Sequence, residues 1–187
     1  GATVGLPTSL APFLVFDIGG GSTEFAVGVE EPTQSISVNM GGVRLTEKFL
    51  GSDPPALAEM ARARDFVQEQ LVHVAQAVDT TQARTWLGLA GTVTSIAAIA
   101  LGLSDYAPSR THGFLLSRDA TRNILARLAA APVAERRGML LQPERAEVIV
   151  GGGIVLLTVM ETFDLDVVRV SESDILDGLA ASALSAS

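Results

Sequence analysis

Residues 14–28 read LVFDIGGGSTEFAVG: two apolar runs separated by three consecutive glycines and two hydroxyl residues, with Asp17 on one side and Glu24 on the other. The apolar, β-branched and aromatic residues of 11–18 and 24–29 predict two strands, and residues 19–22 are the right length for a tight hairpin. A two-residue turn does not require three glycines, and no turn type demands an acid on each flank. Glycine allows φ > 0 and close approach of an anion, so Gly19, Gly20 and Gly21 are expected to turn several N–H groups toward one phosphate. Ser22 and Thr23 would add hydroxyl donors. Carboxylates beside a phosphate usually hold Mg²⁺ directly or through water, which makes Asp17 and Glu24 the expected metal ligands and supporting catalytic residues.

Outward from this loop, residues 34–39 (QSISVN) alternate as a half-buried third strand, which NMGG ends. Asp53 before Pro54 reads as an N-cap with proline in the first turn of a long helix whose stripe is Met60, Ala63, Val67, Leu71, Val74 and Val78. Residues 84–89 predict a fourth strand, and the following AGTVTSIAAIALG a short apolar helix stopping at Gly102. Gly91 and Thr92 lie at that helix's N-terminus, where free N–H groups could take a second phosphate; the alternative is that Thr92 is an ordinary cap. Ser117 is expected to cap a helix carrying Ile124, Leu125 and Leu128, with 105–113 and 132–143 as loops. The pattern of 145–163 is open between a strand-to-loop turn and a helix packed closely on a neighbour. Residues 166–170 predict a last strand, and DILDGLAASAL a closing helix. The order gives an α/β fold with a mixed five-stranded sheet covered by helices, and it resembles one lobe of the ribonuclease H-like, actin-like fold.

Composition sets the limits. At 187 residues and 48% hydrophobic content the chain fits a single domain, 1–187, with a sizeable core. It has no cysteine, which excludes disulfides and thiolate metal sites and fits a reducing cytoplasm. No cationic leader precedes an apolar segment, and the apolar run 148–160 is too short to span a bilayer, so no membrane association is expected. A net charge of −8 argues against nucleic-acid binding, since phosphate backbones are held by Lys and Arg.

With DIGGGSTE in place, GGVRLTEKF, LAGTVTS, HG, PERAEVIVGG and VVRVSESDILDG follow in order. This set resembles the second lobe of the Ppx/GppA exopolyphosphatase and guanosine pentaphosphate phosphatase family over nearly the whole chain. The resemblance implies two actin-like lobes around a cleft and Mg²⁺-dependent hydrolysis of the terminal phosphate of inorganic polyphosphate or the 5′-γ-phosphate of pppGpp. It makes residues 19–23 a phosphate loop, places Asp17 and Glu24 near metal and water, and aligns Gly91 and Thr92 with a later glycine–threonine loop facing the cleft. It also favours helix for 145–163. The family's proposed general base is a glutamate upstream of GAT, where this chain opens. The resemblance therefore predicts a C-terminal lobe without that base or the N-terminal lobe, and with little turnover alone; a homodimer is left open. Two departures stand out: the family's GGT is Ala90, Gly91, Thr92 here, and Leu176 replaces a frequent arginine.

Arg44 is a further candidate for a substrate phosphate, with Lys48 one turn later, against an ion pair with Glu47. His112 is expected to make a structural hydrogen bond, Arg110, Arg136 and Arg137 to be solvated loop charges, with the lining of an anionic path as the alternative, and Trp86 to be core. The alternatives to hydrolysis are a non-catalytic guanosine-polyphosphate-binding or regulatory lobe and half of another actin-like phosphotransferase.

Overall fold

The structure, a computed structural model, describes residues 7–172. The first hairpin forms as its pattern predicts. Strand β1 (Phe13–Ile18) pairs antiparallel with β2 (Thr23–Gly28), which pairs antiparallel with β3 (Pro32–Val38). The chain then crosses through α1 (Gly42–Phe49) and α2 (Leu57–Ala77) to β4 (Thr85–Leu89), parallel to β1. Next come α3 (Ala90–Ala100), the single turn α4 (Pro108–Thr111), the short strand β5 (Leu115–Ser117) and α5 (Arg118–Ala130). The turn α6 (Val133–Arg136), the buried helix α7 (Ile149–Thr162) and β6 (Val167–Val170) complete the described elements.

The sheet runs β3-β2-β1-β4-β6-β5 and is mixed, as the actin-like order requires, but it has six strands rather than five. The sixth, β5, lies antiparallel on β6 at the edge. It spans three residues, too short for a period-2 pattern to register in the sequence. The closing helix expected over DILDGLAASAL lies outside the described residues.

Strand alternation sorts the sheet into two faces. Leu14, Phe16, Ile18, Phe25, Val27, Trp86, Val168 and Val170 turn toward the helices and join one core with Ala63, Val67, Leu71 and Val74 of α2. Trp86 is core as expected, tilted against Phe16 and Phe163. The opposite face carries the smaller cluster of Phe13, Leu87 and Leu89.

Helix α7 settles the ambiguous segment. It is apolar all round, as a helix surrounded by others must be, and its glycines are contact points. A Cβ on Gly151 would come 2.4 Å from the Gly42 carbonyl oxygen of α1, one on Gly152 would meet Thr92 of α3, and one on Gly153 would sit 2.8 Å from Leu125 of α5. Each glycine lets a different helix approach.

The start of α2 differs from expectation. Asp53 does not cap it: its carboxylate accepts from the Val133 N–H, and the Asp53–Pro54 peptide is cis. The helix begins three residues after Pro54, where Glu59 reaches back to accept from the Ala56 N–H at 2.9 Å. Arg136, expected as a solvated charge, is buried, and its guanidinium donates to the carbonyls of Leu128, Ala131 and Ala146 where α5, α6 and the following turn meet.

Candidate functional site

The loop of residues 19–22 closes the β1–β2 hairpin with the Gly19 N–H donating to the Ser22 carbonyl at 3.0 Å. Helix α1 holds its other side. The Gly42 N–H donates to the Gly19 carbonyl and the Arg44 N–H to the Gly20 carbonyl, each at 3.0 Å, while the Arg44 guanidinium donates through Nε to the Gly21 carbonyl at 2.7 Å. All three glycine carbonyls thus point into α1. Among the described residues the amides of Gly20, Gly21 and Ser22 have no backbone acceptor. A loop whose carbonyls are tied back and whose amides have no backbone acceptor has the arrangement that can receive an anion.

Left-handed backbone does not make it so. None of Gly19, Gly20 and Gly21 lies in the positive-φ region, contrary to the reason the sequence suggested. Glycine serves here through bareness: a Cβ on Gly20 would press Val43 at 3.2 Å, and one on the neighbouring Gly41 would lie 2.4 Å from the Gly20 oxygen.

Asp17 and Glu24 are direct cross-strand partners in the β1–β2 register. Their Cβ atoms lie about 5 Å apart, on the sheet face opposite the helices. Like charges so placed repel, and a shared cation relieves the repulsion. Asp17 is also level with Leu89, the last residue of β4, so the pair stands beside the start of α3.

The hydroxyls are committed elsewhere. Thr23 is fully buried and donates to the Met40 carbonyl, bracing the chain just before α1. Ser22 donates to Glu24 Oε1 at 2.6 Å. A hydroxyl has one proton to give, so neither is a phosphate donor in this arrangement. Arg44 forms no ion pair with Glu47; its Nε is on the loop, and its remaining guanidinium donors lie at the loop's rim. Lys48 turns away, its Nζ 4.1 Å from the centre of the Phe66 ring.

At the end of β4, Thr92 is buried against Gly152. Over Gly91 lies a residue the sequence reading passed by: a Cβ there would fall 1.9 Å from the Arg145 guanidinium. A cation over a helix N-terminus is unfavourable unless an anion lies between them. The available signal was the PERAE segment, whose arginine did not stand out among loop charges. Beyond β6, Glu172 accepts from the hydroxyls of Tyr106, at 2.6 Å, and Thr111, and its N–H meets His112 Nδ1 at 3.4 Å, the structural bond expected of that histidine. Burial, then the bond and charge of Glu172, push the Tyr106 hydroxyl up to about 12.

Among the described residues no three His, Cys, Asp or Glu side chains form a ready-made metal cage. The Asp17–Glu24 pair still fits Mg²⁺, a hard cation that commonly takes one or two carboxylates and completes its shell with water and substrate phosphate.

These features define an α/β fold with a glycine hairpin and a carboxylate pair at the ends of its strands. The chain belongs to the Ppx/GppA phosphatase family, whose model matches residues 1–186. Exopolyphosphatase 2 of Mycobacterium tuberculosis is 42% identical over 190 residues, covering 97% of this chain and 59% of that protein. The bifunctional 3-dehydroquinate synthase/phosphatase of Fusobacterium nucleatum is 35% identical over 88% of this chain and 25% of its own length. Among solved structures, an exopolyphosphatase-like protein superposes with a TM-score of 0.90 at 32% identity, over 97% of this chain and 62% of that one. The Aquifex aeolicus Ppx/GppA family member gives 0.86 at 31% identity, over 93% and 56%. The chain spans about three fifths of the length of the exopolyphosphatase 2 it matches. Among the described residues no helix is long and apolar enough to cross a membrane.

Proposed function

We propose that this chain is the phosphate-binding lobe of a phosphoanhydride hydrolase that releases the terminal phosphate of inorganic polyphosphate or the 5′-γ-phosphate of pppGpp. The observation that carries the reading is the loop of residues 19–22, with its carbonyls bound into α1 and its amides left over beside Asp17 and Glu24. The amides of Gly20, Gly21 and Ser22 hold the equatorial oxygens of the phosphoryl group, where charge accumulates during transfer. Arg44 at the loop and Arg145 over Gly91 flank the path of the remaining phosphates. Asp17 and Glu24 hold Mg²⁺, which when bound neutralises phosphate charge. In this reading the first phosphate loop belongs to a preceding lobe and the general base to the stretch just upstream of residue 1; that the chain covers 59% of exopolyphosphatase 2 is consistent with such a lobe.

Gly21 offers the cleanest test, because a Cβ there meets nothing nearer than Arg44 Nη2 at 3.8 Å. In the full-length protein, Gly21→Ala should keep most of the polyphosphate and pppGpp hydrolysis, while Gly21→Asp, which sets a negative charge against the phosphate, should lower it about a hundredfold. An unchanged rate in Gly21→Asp would remove the loop from the active site.

A further inference from the structure

Glu24 is held by two hydroxyls that converge on one of its oxygens. Ser22, from the glycine loop, donates to Oε1 at 2.6 Å; Ser37, from β3, donates to the same Oε1 at 2.7 Å. Ser37 is the direct cross-strand partner of Glu24, so the β2–β3 register places it there. A glutamate's terminal torsion is broad and nearly free, and a carboxylate on an open sheet face ordinarily rotates. Two donors from opposite sides, a loop and a neighbouring strand, stop that rotation. Among the described residues no donor is assigned to Oε2.

We propose that Ser37 is a positioning residue: with Ser22 it locks the Glu24 carboxylate through Oε1, so that Oε2 is the oxygen offered to the divalent cation beside Asp17. This rests on the reading of Glu24 as a cation ligand. Ser37 contributes little to folding, because it is exposed on an edge strand and its backbone pairing does not depend on its side chain. Its hydroxyl touches neither phosphate nor cation and acts through Glu24.

The test is Mn²⁺ binding to the full-length protein, read by electron paramagnetic resonance, for wild type, Ser37→Ala, Ser37→Thr and Glu24→Gln, with melting temperatures beside it. Loss of an outer hydrogen bond to a metal ligand weakens binding by about tenfold or more. Ser37→Ala should therefore bind Mn²⁺ about tenfold more weakly at an unchanged melting temperature, and Ser37→Thr, which keeps the hydroxyl and suits a strand, within about twofold of wild type. Ser37→Ala binding as wild type while Glu24→Gln loses affinity overturns the positioning role and leaves the cation reading standing. Glu24→Gln binding as wild type overturns both. Equal losses in the alanine and threonine variants, with a lowered melting temperature, make Ser37 structural and overturn the proposal.

Discussion

Ala90 carries a φ of 67°, a left-handed conformation in a residue with a side chain. The reason lies in the connection. Strand β4 ends at Leu89 and α3 begins at Ala90, so one residue must turn the chain from strand to helix. That conformation costs a non-glycine residue about 1–2 kcal/mol. Ala90→Gly should relieve most of it, less what the freer unfolded chain takes back, and raise stability by roughly 1 kcal/mol in a denaturant titration. A fall in stability would show that packing of the Ala90 methyl outweighs the strain. The departure from GGT was legible in the sequence; its cost was not, because backbone strain depends on where a strand stops. The fates of Ser22 and Thr23 were hidden for a similar reason. Sequence gives a hydroxyl's presence beside a loop but not its acceptor, and here the acceptors are Glu24 and the Met40 carbonyl.

At the scale of elements, the helices with strong apolar periodicity could be read directly, α2 along its stripe and α5 from its Ser117 cap, whose hydroxyl accepts from the Ala120 N–H. Helix α1 could not. It follows NMGG with eight residues, and its importance comes from the loop carbonyls it receives rather than from a pattern of its own. The same helix meets Gly151 of α7, which ties core packing to the loop of residues 19–22. In Gly151→Ala the new Cβ would lie 2.4 Å from the Gly42 carbonyl and 2.6 Å from Thr46 Oγ1, so α1, whose Gly42 and Arg44 amides hold the loop carbonyls, must shift. Overpacking of this kind costs about 1–3 kcal/mol. Gly153→Ala provides the control, since its Cβ meets the flexible end of Leu125 on α5, away from the loop. Thermal melts should show both variants destabilised, Gly151→Ala the more. Titration with tripolyphosphate should show weakened binding in Gly151→Ala alone; equal affinities in the two would break the link between α7 and the loop.

For the whole molecule, the mixed sheet, with residues 17–24 at its strand ends, followed from the order of predicted elements, while the sixth strand and the Arg145 contact depended on tertiary placement. Charge is the property that belongs to the chain as a whole. These 187 residues carry a net charge of −8 and by themselves offer a polyanion no long-range attraction, and the amides of residues 19–22 add only short-range dipoles. On the proposed function, the attraction comes from a divalent cation at the Asp17–Glu24 pair. Removing one such charge contact, at the effective dielectric of a partly exposed site, is worth at least about 1.4 kcal/mol, or about tenfold in affinity. Tripolyphosphate should accordingly bind the full-length protein at least about tenfold more weakly in chelator than in Mg²⁺. Binding that survives chelation would mean that Arg44 and Arg145 supply the field, and that the two carboxylates serve the loop in some other way than by holding a cation.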